Sequence, residues 1–157
     1  MTTCCFTGHR RLPREEYPAL RERTERAIRR AYEAGCRRFF AGGALGFDML
    51  AAAIVTLLRD SEYPDITLTL LLPCADQDSR WAAGDRRRYA AMLAAADVVH
   101  TLSTVYREGV MRERNRALVD SADLCIAYLT DRASGTGSTV SMAERRAIPV
   151  WNVAEEI

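Results

Sequence analysis

Ala41-Gly42-Gly43-Ala44-Leu45-Gly46-Phe47-Asp48 joins two apolar runs of different kinds. Residues 36–41 are short and aromatic, as in a buried strand. Residues 44–59 are apolar nearly all round, as in a buried helix. A strand that turns into a helix through small residues is the building unit of a parallel α/β sheet. Glycine in such a turn lets backbone N–H groups approach an anion, and the helix N-terminus adds a partial positive charge. Ser134-Gly135-Thr136-Gly137-Ser138-Thr139 repeats the arrangement near the other end of the chain. Two such turns in one small chain predict one site for a phosphate-bearing ligand.

The same alternation extends outward from the first turn. Strands are expected over residues 2–7, 36–41, 66–72, 97–102, 122–129 and 148–153. Helices are expected over 15–35, 44–59, 85–96, 110–121 and 136–147, with 73–84 as the longest irregular segment. In the first helix Tyr17, Leu20, Thr24, Ala27, Ile28 and Ala31 recur at helical spacing, and Gly35 is suited to end it. Several strands are continuous apolar runs, which predicts a mostly parallel sheet with helices on both faces. The expected architecture is a single doubly wound α/β domain over residues 1–157. Ligands of such sheets bind beyond the carboxyl ends of the strands. Loops 7–11, 42–46, 73–80, 103–109 and 130–139 are therefore expected to gather on one edge.

The chain has 157 residues, 48% of them hydrophobic, enough for one domain with a real core. Its 22 basic and 21 acidic residues leave a net charge of +1, which gives nucleic acid little general electrostatic attraction. Every basic side chain is arginine, so neither a lysine Schiff base nor P-loop lysine chemistry is available. Cys4, Cys5, Cys36, Cys74 and Cys125 form no C-x-x-C pair, and most lie in apolar runs; reduced thiols in the cytoplasm are expected. The first residues enter a strand without a basic and apolar leader, and no apolar run approaches the ~20 residues of a membrane helix. With only His9 and His100, and no clustered ligands, no metal site is expected. The apolar helix 44–58 reads as core rather than as the interface of a homo-oligomer.

Several residues are suited to a ligand. Thr7, Gly8, His9 and Arg10 follow the first strand and offer a hydroxyl, a close backbone N–H, a ring and a cation. They do not form G-x-G-x-x-G, so ordinary dinucleotide geometry is not indicated. Gly42, Gly43 and Ala44 offer backbone contact, or simply tight packing. Asp48, one turn into the helix, is placed for a ribose hydroxyl, for Arg10, or for the helix dipole. Arg114 and Asn115 open a helix whose Arg112 and Arg116 share a face by i,i+4 spacing, which equally describes a solvated charged surface. Gly135, Thr136, Gly137, Ser138 and Thr139 supply N–H groups and hydroxyls for an anion, or a helix cap.

These motifs, in this order, resemble the YpsA/YoqJ-like proteins of the SLOG superfamily, which includes DprA (Smf) and the LOG enzymes. The resemblance covers essentially the whole chain. It implies a Rossmann-like fold and a nucleotide-derived ligand: a nucleotide, an NAD derivative or ADP-ribose. Gly8, Gly42, Gly43 and Asp48 match the family's first pair of loops, and Gly135 to Thr139 match its last. LOG-type phosphoribohydrolases resemble P-G-G-x-G-T-x-x-E in that last loop, with a catalytic Glu. Here the Glu position is Thr139, Arg132-Ala133 precede in place of Gly-Gly, and Glu144 is out of register. The first expectation is therefore a binding or sensing protein for a nucleotide-derived small molecule. An alternative is a hydrolase of an N-glycosidic or phosphate bond, with Asp48, Asp78 and Glu144 as candidate acids. A third is a DprA-like single-stranded DNA-binding module.

Overall fold

The computed structural model describes residues 1–156. Six strands form one sheet: β1 (Thr3–Gly8), β2 (Arg38–Ala41), β3 (Thr67–Leu72), β4 (Val98–Thr101), β5 (Leu124–Tyr128) and β6 (Val150–Asn152). They alternate with α1 (Tyr17–Glu33), α2 (Phe47–Ser61), α3 (Ala83–Ala95), α4 (Val110–Ser121) and α5 (Gly135–Arg145). A 3-10 turn over Arg14–Glu16 leads into α1. All strand pairs are parallel, in the order β4-β3-β2-β1-β5-β6.

Parallel neighbours need crossover connections, and a right-handed crossover puts each helix on a face set by the direction of travel. From β1 to β4 the chain moves one way, and α1, α2 and α3 cover one face. The return to β5 reverses that direction and puts α4 and α5 on the other. Alternation along the strands follows. Phe6, Phe39, Leu68, Leu70 and Ile126 pack with Ile28, Ile54 and Val55. Cys5, Phe40, Leu71, Cys125 and Ala127 pack with Leu118, Val119, Val140 and Ala143. The reversal lies between β1 and β5, whose carboxyl ends pair as Thr7 with Ala127 and Gly8 with Tyr128. A crevice opens at such a point because the connections leave in opposite directions.

Three departures from the sequence reading have physical causes. Helix α2 begins at Phe47 rather than residue 44. Gly43 and Gly46 take φ of +73° and +78°, outside any right-handed helix. Helix α5 begins at Gly135, one residue early, because Ser134 already caps it. Strand β4 is exposed along its whole length, since the order leaves it at the sheet edge. All five cysteines are buried and free. Among the described residues no helix is long and apolar enough to cross a membrane, and no group of three His, Cys, Asp or Glu is placed to hold a metal ion.

Candidate functional site

A cavity of about 290 Å³ occupies the crevice between the carboxyl ends of β1 and β5. Three loops and one helix build it. Thr7, Gly8, His9 and Arg10 come from the end of β1 and the loop after it. Ala44 and Asp48 come from the entry to α2. Met111, Arg114 and Asn115 come from α4, and Ser134, Gly135 and Thr136 from the entry to α5. Phe6 and Leu118 add apolar wall. Loops 73–80 and 103–109 do not line it. Ala75 N–H donates instead to Ser103 O (2.9 Å), tying those two loops to each other.

Close packing brings the walls together. A Cβ on Gly8 would stand 2.5 Å from the Phe47 side chain, so β1 and α2 approach as closely as only glycine allows. Gly42 lies against the Arg114 guanidinium, where a side chain would displace it. Gly43 packs on Leu72 and accepts from Gln77 Nε2 (3.3 Å). Gly42 and Gly43 thus shape the site from behind and do not line the cavity. His9 ties two loops. Its Nε2 accepts from Thr130 N–H (2.9 Å), which makes the neutral ring an Nδ1–H donor. Its carbonyl accepts from Phe47 N–H (3.1 Å).

The entry to α5 is held by its own cap. Ser134 Oγ accepts from Gly137 N–H (3.1 Å), and Ser134 O accepts from Ser138 N–H (3.0 Å). These bonds occupy Gly137 and Ser138. Thr139 is fully buried, with its hydroxyl donating to Gly135 O (3.2 Å). The N–H groups of Gly135 and Thr136 keep no partner among the described residues, and both residues line the cavity. A Cβ on Gly135 would meet nothing within 4 Å, so the wall at that point is bare backbone.

Two buried charged residues line the same cavity. Asp48 and Arg114 are each 5% exposed. Asp48 Oδ2 accepts from Ala44 N–H (3.1 Å). Burial lifts its carboxyl above the ordinary carboxylate range, against the pull of Arg114, the Ala44 N–H and Arg10. Burial likewise lowers the Arg114 guanidinium, with Asp48 opposing. Arg114 donates to Gly42 O (2.5 Å) and to Asn115 Oδ1 (2.8 Å). Because Asn115 accepts through oxygen, its amide N–H groups are free to donate elsewhere. Arg10 is exposed at the cavity mouth. Of the three candidate acids only Asp48 lines the cavity. Asp78 accepts from Arg86 (3.5 Å), and Glu144 holds Arg132 through two bonds (2.7 and 3.0 Å). Met111, Leu118 and Phe6 carry no chemical signal in the sequence that sets them apart from core.

The family model described as the YspA SLOG family matches residues 7–147. A UPF0398 protein of Shouchella clausii is 32% identical over 119 residues, 74% of this chain and 63% of its own length. One from Halalkalibacterium halodurans is 30% identical over 130 residues, 81% of this chain and 68% of its own. The chain therefore spans roughly two thirds of the length of these curated relatives. Among solved structures, DNA processing protein A from Helicobacter pylori superposes with a TM-score of 0.66 at 21% identity, covering 95% of this chain and 63% of that one. DprA from Streptococcus pneumoniae gives 0.66 at 15% identity, covering 95% and 49%. At those identities the likeness is one of fold. The match over most of the chain decides the family: this protein belongs to the YspA SLOG family.

Proposed function

We propose that the crevice binds the phosphate-bearing part of a nucleotide-derived ligand. The observation that carries this reading is the meeting of complementary chemistries in the lining of one small cavity. The unpartnered N–H groups of Gly135 and Thr136, at the positive end of α5, stand on one side with Arg10 at the mouth. Donors of this kind suit an anion. The Asp48 carboxyl and the Asn115 amide line the same cavity, as acceptor and donor for sugar hydroxyls or a base edge. At about 290 Å³ the cavity lies at the small end of ligand sites, which suits one nucleotide unit.

The test compares AMP, ADP, ADP-ribose and NAD with adenosine, by thermal shift. At about 100 times its dissociation constant a ligand adds roughly 2.7 kcal/mol, a rise of about 5–11 °C for a domain of this size. Phosphorylated ligands are expected to raise Tm and adenosine to leave it unchanged. Equal shifts with adenosine, or none with any compound, contradict the reading.

One observation favours a second reading of the same site. The solved structure of the Helicobacter pylori neighbour concerns its single-stranded DNA binding. Arg10 and Arg11, exposed beside the crevice, would suit a strand whose phosphate enters it. Under this reading binding strengthens with strand length and weakens steeply with salt, as counterions are released.

A further inference from the structure

A larger cavity, of about 800 Å³, lies on the other side of the loop after β1, between α2, α3 and the approach to α1. Its floor is apolar, with Met49, Leu50 and Met92, and Tyr17 stands at its rim. Arg10 and Arg11 stand at its mouth, both exposed. Arg10 lines the crevice as well. The partition is the His9–Arg10 backbone, clipped to α2 through Phe47 N–H and packed against Gly46. A cation therefore stands where a ligand leaving one cavity would enter the other.

An apolar floor with a tyrosine and thioethers suits a flat ring, and the arginines suit an anionic link to it. From this charge complementarity and the shared Arg10, we propose that the groove binds a second nucleoside, joined through phosphate to the unit held in the crevice. The proposal rests on the reading of the crevice as a phosphate site. Its ligand chemistry, two nucleosides bridged by phosphate, exists both in free dinucleotides and in single-stranded nucleic acid.

Calorimetric titration decides it, with AMP, NAD, dTMP, the dinucleotide pTpT and a thymidine hexamer as probes. At least one two-nucleoside probe is expected to bind about tenfold or more tightly than its mononucleotide, the gain of one added base contact. Ala53 is exposed on α2 and lines the groove. Ala53→Glu is expected to abolish that gain and leave mononucleotide affinity within about twofold, since the crevice lies apart. A gain confined to NAD identifies a free dinucleotide, and a gain shared by pTpT and the hexamer identifies a strand. The proposal is overturned if no two-nucleoside probe exceeds its mononucleotide. It is also overturned if the gain survives both Ala53→Glu and Tyr17→Ala. If mononucleotides fail to bind but a longer probe binds through Ala53, the groove is a site of its own, and both the crevice reading and its proposed link to the groove are overturned. If nothing binds, both fall.

Discussion

Arg114 illustrates how a charged residue at the site acts mainly on the protein itself. Its guanidinium is buried against Gly42, bonds the Gly42 carbonyl and orients Asn115, and it supplies the positive charge near Asp48. Arg114→Met leaves Asp48 buried without that charge and the Gly42 carbonyl without its donor. A loss of about 2–3 kcal/mol is expected by urea denaturation, chiefly from the buried carbonyl left without its donor, and a loss below about 1 kcal/mol contradicts this role. The sequence showed Arg112, Arg114 and Arg116 as one charged run. Only packing against the glycine at residue 42 singles out the middle one. Asp48 makes a prediction in pH. Its folded pKa is raised, so its contribution to stability is fully present below the unfolded value, about 3.9. That contribution is lost as pH rises through the folded value, because the folded state holds the proton more tightly. Asp48→Asn is expected to lose less stability than the wild type as pH rises above about 4. Parallel curves would show that Asp48 is not under that burial penalty.

At the scale of elements, the entry to α5 divides its labour between neighbours. Ser134 closes the cap on Gly137, while Gly135 and Thr136 present free N–H groups. Ser134→Ala is expected to cost about 1 kcal/mol of stability by removing the cap; no change in the urea midpoint would mean that the cap bond contributes nothing. The order of elements was legible from alternating strand-like and helix-like runs, and helix α4 begins and ends where its pattern does. Boundaries at the glycine turns were less legible. Whether Gly43 and Gly46 adopt positive φ depends on Leu72 and Arg10 packed against them, and those are distant in sequence or held by the loop. The exposure of β4 was hidden for a similar reason. Val98 and Val99 look like any buried strand, and only the order of strands puts them at an edge.

At the scale of the whole molecule, one topological fact assembles the site. The chain reverses direction between β1 and β5, so the loops after those strands and the entries to α2 and α5 surround one crevice. The sequence pointed to both glycine-rich turns. It expected all five loops after the strands on one edge, as the parallel strands require; three of them line the cavity, and the other two bond to each other beside it. It had no means of showing the larger groove, whose walls come from three separated segments and carry no motif.

The proposed function turns on the free backbone N–H groups at the start of α5, which would hold a ligand phosphate. Gly135 tests it most directly, because a side chain there meets no protein atom and its φ is not positive. Gly135→Glu should leave the urea midpoint within about 0.5 kcal/mol of wild type in stability. The measurement is calorimetric titration of wild type and Gly135→Glu with the phosphorylated ligand that gives the largest thermal shift. Affinity is predicted to fall about a hundredfold or more, as a carboxylate meets the phosphate. Undiminished affinity in a folded Gly135→Glu would mean that these N–H groups do not hold the phosphate.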